Sequence, residues 1–269
     1  MKRLFLLFAA ALLAAACPAG AFAQFKIGGK KIDAAKLLNA GKDVAKAVTL
    51  SDEEIARLSR ESVEWMDANN PVAADTTTYG ARLKRLTEGI TDADGLPLNF
   101  KVYLVTDVNA FACGDGSIRV FAALMDLMDD DELMAISGHE IGHVVHADVK
   151  HAMKNAYLSS AARNAAGAAE GSTLAKLSDS QLGEVVTAFT GAQFSQKQEY
   201  EADEYGFEFS VKNGFSPYGM GNSLNKLVEL SKGAKSSTVQ KMFSSHPDSE
   251  KRAARMKEKA DAYVAAHQQ

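Results

Sequence analysis

The sequence predicts an α+β fold, mostly helical, with one small sheet. Helix-start patterns stand at Ser51-Asp52-Glu53-Glu54 and again at Asp129-Asp130-Asp131-Glu132. Two short runs carry strand-forming residues, and both lie between positions 100 and 121. One segment, from position 129 to about 150, is apolar on most of its sides and reads as a buried central helix. With 46% hydrophobic and 24% charged residues among 269, the composition is that of a globular protein with a sizeable core.

The elements follow in order. Lys2 and Arg3 precede an apolar run from Leu4 to Ala16, and Ala21-Phe22-Ala23 gives a small-x-small site before Gln24. Residues 1–23 therefore read as a secretory signal peptide cleaved after Ala23. The run is shorter than the roughly 20 apolar residues a membrane span needs. A rival reading makes Cys17 a lipid-anchored cysteine, although Leu13 lies four positions before it where three is the pattern. Either reading exports the protein, with the look of a bacterial periplasmic chain. Residues 24–50 form a leader rich in lysine (Lys26, Lys30, Lys31, Lys36, Lys42 and Lys46), solvated or able to touch anionic lipid. A single domain spans 51–269.

Within that domain the capping-box pattern at Ser51 opens a helix to about Asn69, which Pro71 stops. A second helix is predicted over 77–90, then a turn at Asp92-Ala93-Asp94-Gly95. Strands are predicted at Phe100-Lys101-Val102-Tyr103-Leu104-Val105 and, after Gly114-Asp115-Gly116, at Ser117-Ile118-Arg119-Val120-Phe121. The acids from Asp129 complement the positive end of the helix dipole and open the central helix to about Lys150. A charged helix follows Pro247 to about Ala265.

Several functions are disfavoured at this level. A net charge of −4 argues against nucleic acid as a partner. No second long apolar stretch would embed a domain in a membrane. Cleavage after Ala23 would leave Cys113 as the one cysteine, which excludes a disulfide framework.

The run His139-Glu140-Ile141-Gly142-His143 carries the chemistry. Histidines four apart on a helix differ by about 40° around its axis and about 6 Å along it, so both imidazoles reach one metal ion. Glu140 lies beside that ion as a general base. Two ligands and a base on one turn is the zinc metalloprotease arrangement. A catalytic zinc also needs a third protein ligand and an open position. A third histidine six residues after His143 is absent, because that position is Val149. His146 shares the helical face but would strain a three-ligand set. Glu199 on a second helical segment fits, and Asp203, four residues on, shares its face and can hold a ligand imidazole through its other nitrogen. Glu201 points about 160° away from Glu199.

The stretches Asp107-Val108-Asn109-Ala110-Phe111-Ala112, Ser117-Ile118-Arg119-Val120, Leu124-Met125-Asp126, Gly138-His139-Glu140-Ile141-Gly142-His143, Phe194-Ser195-Gln196-Lys197-Gln198-Glu199 with Ala202-Asp203, and Ser245-His246-Pro247 resemble the HtpX-like and CAAX prenyl-protease family of zinc metallopeptidases, especially its small exported branch. The resemblance implies a zincin-like (minigluzincin) domain and metal-dependent endopeptidase activity. It also places one zinc on His139, His143 and Glu199, with Asp203 behind them. A histidine common in relatives further along the active helix is replaced by Asp148.

The mechanism that follows uses Glu140 to accept a proton from the attacking water and return it to the leaving nitrogen. The strand Ile118, Arg119, Val120 and Phe121 is expected at the sheet's edge beside the cleft, where an unfolded substrate could add as a further strand. His246 either caps the metal and holds the enzyme latent or donates to the oxyanion, with a helix-start role as the plain reading. Arg252 is a second donor or a brace for the His246 loop. Expected substrates are unfolded or misfolded envelope proteins, with a possible peripheral-membrane or outer-membrane association. The rival class is a zincin-scaffold chaperone or assembly factor with little turnover. Zinc-dependent hydrolysis of a non-peptide ester is a third.

Overall fold

The computed structural model describes residues 25–27, 30–32, 51–164, 177–233, 245–247 and 249–267. The signal segment with Cys17 lies outside the described residues. The chain divides into two compact units, 1–46 with 161–170, and 47–160 with 171–269. In the first unit, β1 (Phe25–Ile27) and β2 (Lys30–Ile32) pair antiparallel, within the segment read as a leader.

The second unit opens with α1 (Asp52–Asn69). Ser51 Oγ accepts from Glu54 N at 3.2 Å and Glu54 Oε2 accepts from Ser51 N at 2.8 Å, so the predicted capping box is complete. Helix α2 (Thr78–Leu86) starts at its Thr77 cap but ends four residues earlier than the sequence suggests. In its last turn the Leu83 carbonyl accepts from both the backbone N–H and the hydroxyl of Thr87. The predicted turn is a two-residue hairpin joining β3 (Asp92–Ala93) to β4 (Leu96–Pro97). Asp94 and Gly95 both take positive φ, 53° and 83°, as a type I′ turn requires.

Three strands form the main sheet: β5 (Asn99–Tyr103), β6 (Ala110–Ala112) and β7 (Ser117–Phe121), in the order β5-β7-β6. Strand β7 runs parallel to β5 and antiparallel to β6. This corrects the expectation for Ile118, Arg119, Val120 and Phe121. Their strand is central, both its edges are paired, and it cannot accept a substrate strand. The misreading arose because β6 is only three residues long, too short to register as a strand.

Arg119 belongs to the core for a specific reason. It faces Lys101 across the β5–β7 register, and two cations side by side repel. Asp67 on α1 resolves this. It accepts from Arg119 Nε at 2.8 Å and Nη2 at 3.0 Å, from Lys101 Nζ at 2.8 Å and from the Tyr103 hydroxyl at 2.7 Å. Burial raises the Asp67 carboxyl, but these donors outweigh it and bring it down to about 2.

After the short helix α3 (Ala122–Leu127), the central helix is α4 (Asp130–Val145), with a capping box between Asp129 and Glu132. Every residue from Glu132 to His143 is buried. Leu133, Met134, Ile136 and Ile141 pack into a core shared with Val102, Ile118, Val120, Leu124 and Phe209. The helix does not continue to Lys150. It stops at Val145, Ala147 takes φ 64°, and α5 (Asp148–Asn164) starts in a new direction. Helices α6 (Asp179–Thr190), α7 (Gln196–Lys212), α8 (Gly219–Gly233) and α9 (Ser249–His267) complete the unit. Helix α4 packs against α7, α8 and β6. No helix among the described residues is long and apolar enough to cross a membrane.

The Asp67 cluster makes stability pH-dependent. The unfolded carboxyl titrates near 3.8 and the folded one near 2, so its contribution is whole above about pH 4 and is lost as the pH falls toward 2. The shift corresponds to about 1–2 kcal/mol after discounting for partial exposure. Denaturant titrations should find Asp67→Asn less stable by at least that at pH 7, with the gap to wild type closing near pH 2. A gap of constant size across this range would show that the carboxylate charge is not what stabilises the cluster.

Candidate metal centre

Helix α4 presents His139 and His143 on one face, one turn apart. Opposite them, the first turn of α7 presents Glu199, and Asp203 follows a turn later. Helix α7 starts there because Ser195 and Gln198 form another capping box. His246 stands three residues before α9, and Arg252 lies in the first turns of that helix.

The helices can bring these side chains together because they touch backbone to backbone. A Cβ on Gly206 of α7 would come within 2.8 Å of Ala135 O and His139 N on α4. Only glycine permits that approach.

The side chains converge on one point. His139 Nε2 lies 3.2 Å from His143 Nε2 and 3.3 Å from His246 Nδ1. Glu199 Oε1 lies 3.0 Å from His246 Nδ1 and 3.4 Å from His143 Nε2, and Glu199 Oε2 is 3.7 Å from His139 Nε2. All four residues are buried, and their inward atoms lie within 4.8 Å of one another. A tetrahedral ion with bonds of about 2.0–2.1 Å has ligand–ligand edges of roughly 3.3–3.4 Å. The observed spacings bracket that edge.

The outer nitrogens sharpen the point. His139 Nδ1 is 2.9 Å from Asp203 Oδ1, and His143 Nδ1 is 2.9 Å from Asp148 Oδ2. Ionised carboxylates only accept, so both Nδ1 atoms carry the proton. In the neutral rings, both Nε2 atoms then present lone pairs to each other across 3.2 Å. A cation between them removes that repulsion. Burial lowers the His139 imidazole. Burial also lowers His143, but hydrogen bonds to Asp148 and Glu199 hold it up to about 9.

Behind the ligands stands Arg252, 1% exposed. Its Nε donates to Asp203 Oδ2 at 2.8 Å and its Nη2 to Asp203 Oδ1 at 2.7 Å, while Nη1 pairs with Glu199 and reaches Pro247 O at 3.4 Å. Each of the three nitrogens is engaged, so the geometry is that of a brace for both carboxylates and the His246 loop rather than of a free donor. Burial alone would raise Asp203, but Arg252 and His139 keep its carboxyl below the usual range. Glu199 is likewise lowered, against its burial, by the surrounding imidazoles.

Glu140 lies 4% exposed beside the cluster, and its Oε1 has no hydrogen-bond partner. His246 Nε2 is 3.7 Å from that oxygen. Both residues line a cavity of about 20 Å³, walled by Ile136, Met220, Leu224 and Leu227. That is room for about one water molecule.

The other sequence candidates fall elsewhere. Glu201 pairs with Lys197 at the surface. His146 caps α4 and meets the Tyr205 ring edge-on at 6.0 Å. Ile118, Arg119, Val120 and Phe121 do not line the cavity. Three residues at the centre carried no predicted role: Asp148, Gln198, whose Nε2 donates to Asp148 Oδ1 at 2.5 Å, and Phe194, stacked on His143 at 4.0 Å. On an unbroken helix Asp148 would lie about 140° from His143. The break at Ala147 swings it back.

The sequence profile described as Peptidase family M48 matches residues 79–260 of this chain, which takes in the whole cluster. The chain belongs to peptidase family M48. It is 39% identical to Metalloprotease LoiP of Escherichia coli (strain K12) over 236 residues, 87% of this chain and 92% of that protein. It is 36% identical to Metalloprotease YcaL of the same organism over 229 residues, 85% of this chain and 88% of the relative. The Beta-barrel assembly-enhancing protease of that strain is 29% identical over 184 residues, 64% of this chain but 37% of the larger protein. This M48 chain is a metalloprotease, as its histidine motif predicts.

Proposed function

We propose that this M48 protease is an endopeptidase with a zincin-like (minigluzincin) domain and one zinc ion, held by His139, His143 and Glu199. The observation that carries the reading is the convergence of four buried donor residues on one point, with the His139 and His143 Nε2 atoms 3.2 Å apart and a carboxylate behind each ring. Nitrogen and carboxylate donors at tetrahedral spacing suit zinc. When bound, zinc would polarise the scissile carbonyl and make water acidic enough to lose a proton near neutral pH.

The chain's own residues do the rest. Glu140 Oε1, buried and without a partner, takes the proton of the attacking water and delivers it to the leaving nitrogen. Asp203 and Asp148 hold the two imidazoles in one tautomer and orientation. Arg252 keeps Asp203 and Glu199 ionised and in place. His246, with Nδ1 in the ligand cluster, stands where the open position belongs, which favours the capping role over oxyanion donation.

For substrate we propose unfolded or misfolded envelope proteins. The support is the name of the Beta-barrel assembly-enhancing relative and the export signal read at 1–23. An outer-membrane association would go with that role. The proposed location is the periplasm with Gln24 as the mature N-terminus, or a membrane anchor through Cys17.

Three experiments test this. Purified protein should carry about one zinc and hydrolyse casein. Glu140→Gln should keep the zinc and lose hydrolysis by about 10²-fold or more, and Glu199→Ala should lose zinc where Glu201→Ala keeps it. Zinc lost from Glu201→Ala and kept in Glu199→Ala would overturn the ligand set, undiminished hydrolysis in Glu140→Gln would remove Glu140 as the base, and zinc-loaded wild type without hydrolysis would favour the chaperone class. His246→Ala should raise basal casein hydrolysis several-fold, and a fall instead would make His246 an oxyanion donor. Mass spectrometry of the exported protein should find Gln24 first, whereas an acylated Cys17 would replace the soluble form with the anchored one.

A further inference from the structure

Gln198 occupies an unusual junction. Its Oε1 accepts from Ser195 N at 2.9 Å and Ser195 Oγ at 2.8 Å, closing the capping box of α7. Its Nε2 donates to Asp148 Oδ1 at 2.5 Å. The other oxygen of Asp148, Oδ2, accepts from His143 Nδ1. The next residue after Gln198 is Glu199. One amide therefore ties the start of the helix that carries Glu199 to the carboxylate that orients His143. Asp148 is 5% exposed and His143 is fully buried, so water does not substitute freely for either bond.

We infer that Gln198 and Asp148 are positioning residues that act as one relay, setting the His143 imidazole and the Glu199 carboxylate in register for the metal. The inference rests on the ligand set proposed above. An amide is required because the position must accept on one side and donate on the other. A glutamate would satisfy Ser195 equally well, as Glu54 and Glu132 do for their own caps, but would set a second carboxylate against Asp148. The cap alone does not decide between the two, since Gln181 closes the Ser178 box as an amide, but at this cap only the amide also donates to Asp148.

The test is a charge-conserving exchange in the full chain. Asp148→Asn opposes two amide donors, and Gln198→Glu opposes two carboxylates. The double variant Asp148→Asn/Gln198→Glu matches donor to acceptor again, with the amide oxygen still facing His143 and the new carboxylate still able to cap Ser195. Zinc affinity is read by competition with a chromophoric chelator, and ligand geometry by the visible spectrum of the cobalt(II)-substituted protein. Each single variant should bind zinc about 10–100-fold more weakly than wild type, the usual cost of a lost partner behind a ligand. The double variant should recover most of that loss and restore the cobalt spectrum. Wild-type affinity in both single variants, or a double variant no better than either, overturns the relay. Zinc retained undiminished in His139→Ala overturns instead the ligand set beneath it.

Discussion

The close approach of α4 and α7 is the constraint on which the rest depends. Side chains of histidine and glutamate reach only so far, and ligand atoms 3.4–3.7 Å apart across the two helices require backbones in contact. Gly206 makes that contact possible, with its Cα side against Ala135 O and His139 N. A single methyl there would part the helices at His139, the first residue of the cluster. The apolar residues of α4 hold the other side of the helix to the sheet, so the site is fixed between two packed surfaces rather than carried on loops.

Packing creates an electrostatic problem that the chain only partly solves. Around the centre lie four buried carboxylates, Glu140, Asp148, Glu199 and Asp203, and one guanidinium, Arg252. Buried charges are tolerated when paired and hydrogen-bonded, and removing one partner is costly. Arg252 spans Asp203 and Glu199, and Asp148 has His143 and Gln198. Glu140 Oε1 is left without a donor. That one oxygen without a hydrogen bond sits beside the small cavity, where the general base proposed above would need it.

Local signals were legible in the sequence, and long-range ones were not. The caps at Ser51 and Asp129 follow from residues three apart, and the structure has both. The His139–His143 pair and the Glu199–Asp203 pair follow from helical spacing and fall on one centre as read. The order of the sheet could not be read this way. Whether β7 is an edge or a centre depends on β6, a run of Ala-Phe-Ala with no alternation, and on a parallel pairing with β5 that no local pattern encodes. The burial of Arg119 is equally non-local. A charged residue in a strand suggests solvent, yet its partner Asp67 lies 52 positions earlier on another element. The break after Val145 was equally hidden, because neither glycine nor proline marks it and Ala147 takes the left-handed conformation itself. That hidden break removed Asp148 from view, and with it the partner of His143.

The same charge inventory links the metal to the fold. Set against one guanidinium, four carboxylates leave the centre strongly negative. A divalent cation is the largest single charge such a site can receive, and it offsets most of that excess at once. Protonation of His143 offsets only part of it, and it spends the lone pair that makes the residue a ligand. Because the four donor residues come from two helices and a loop, they converge only in the folded chain, so metal binding free energy adds to folding free energy. The glycine contact brings the donors within reach, and a bound cation would relieve the repulsion among carboxylates that bringing them together creates.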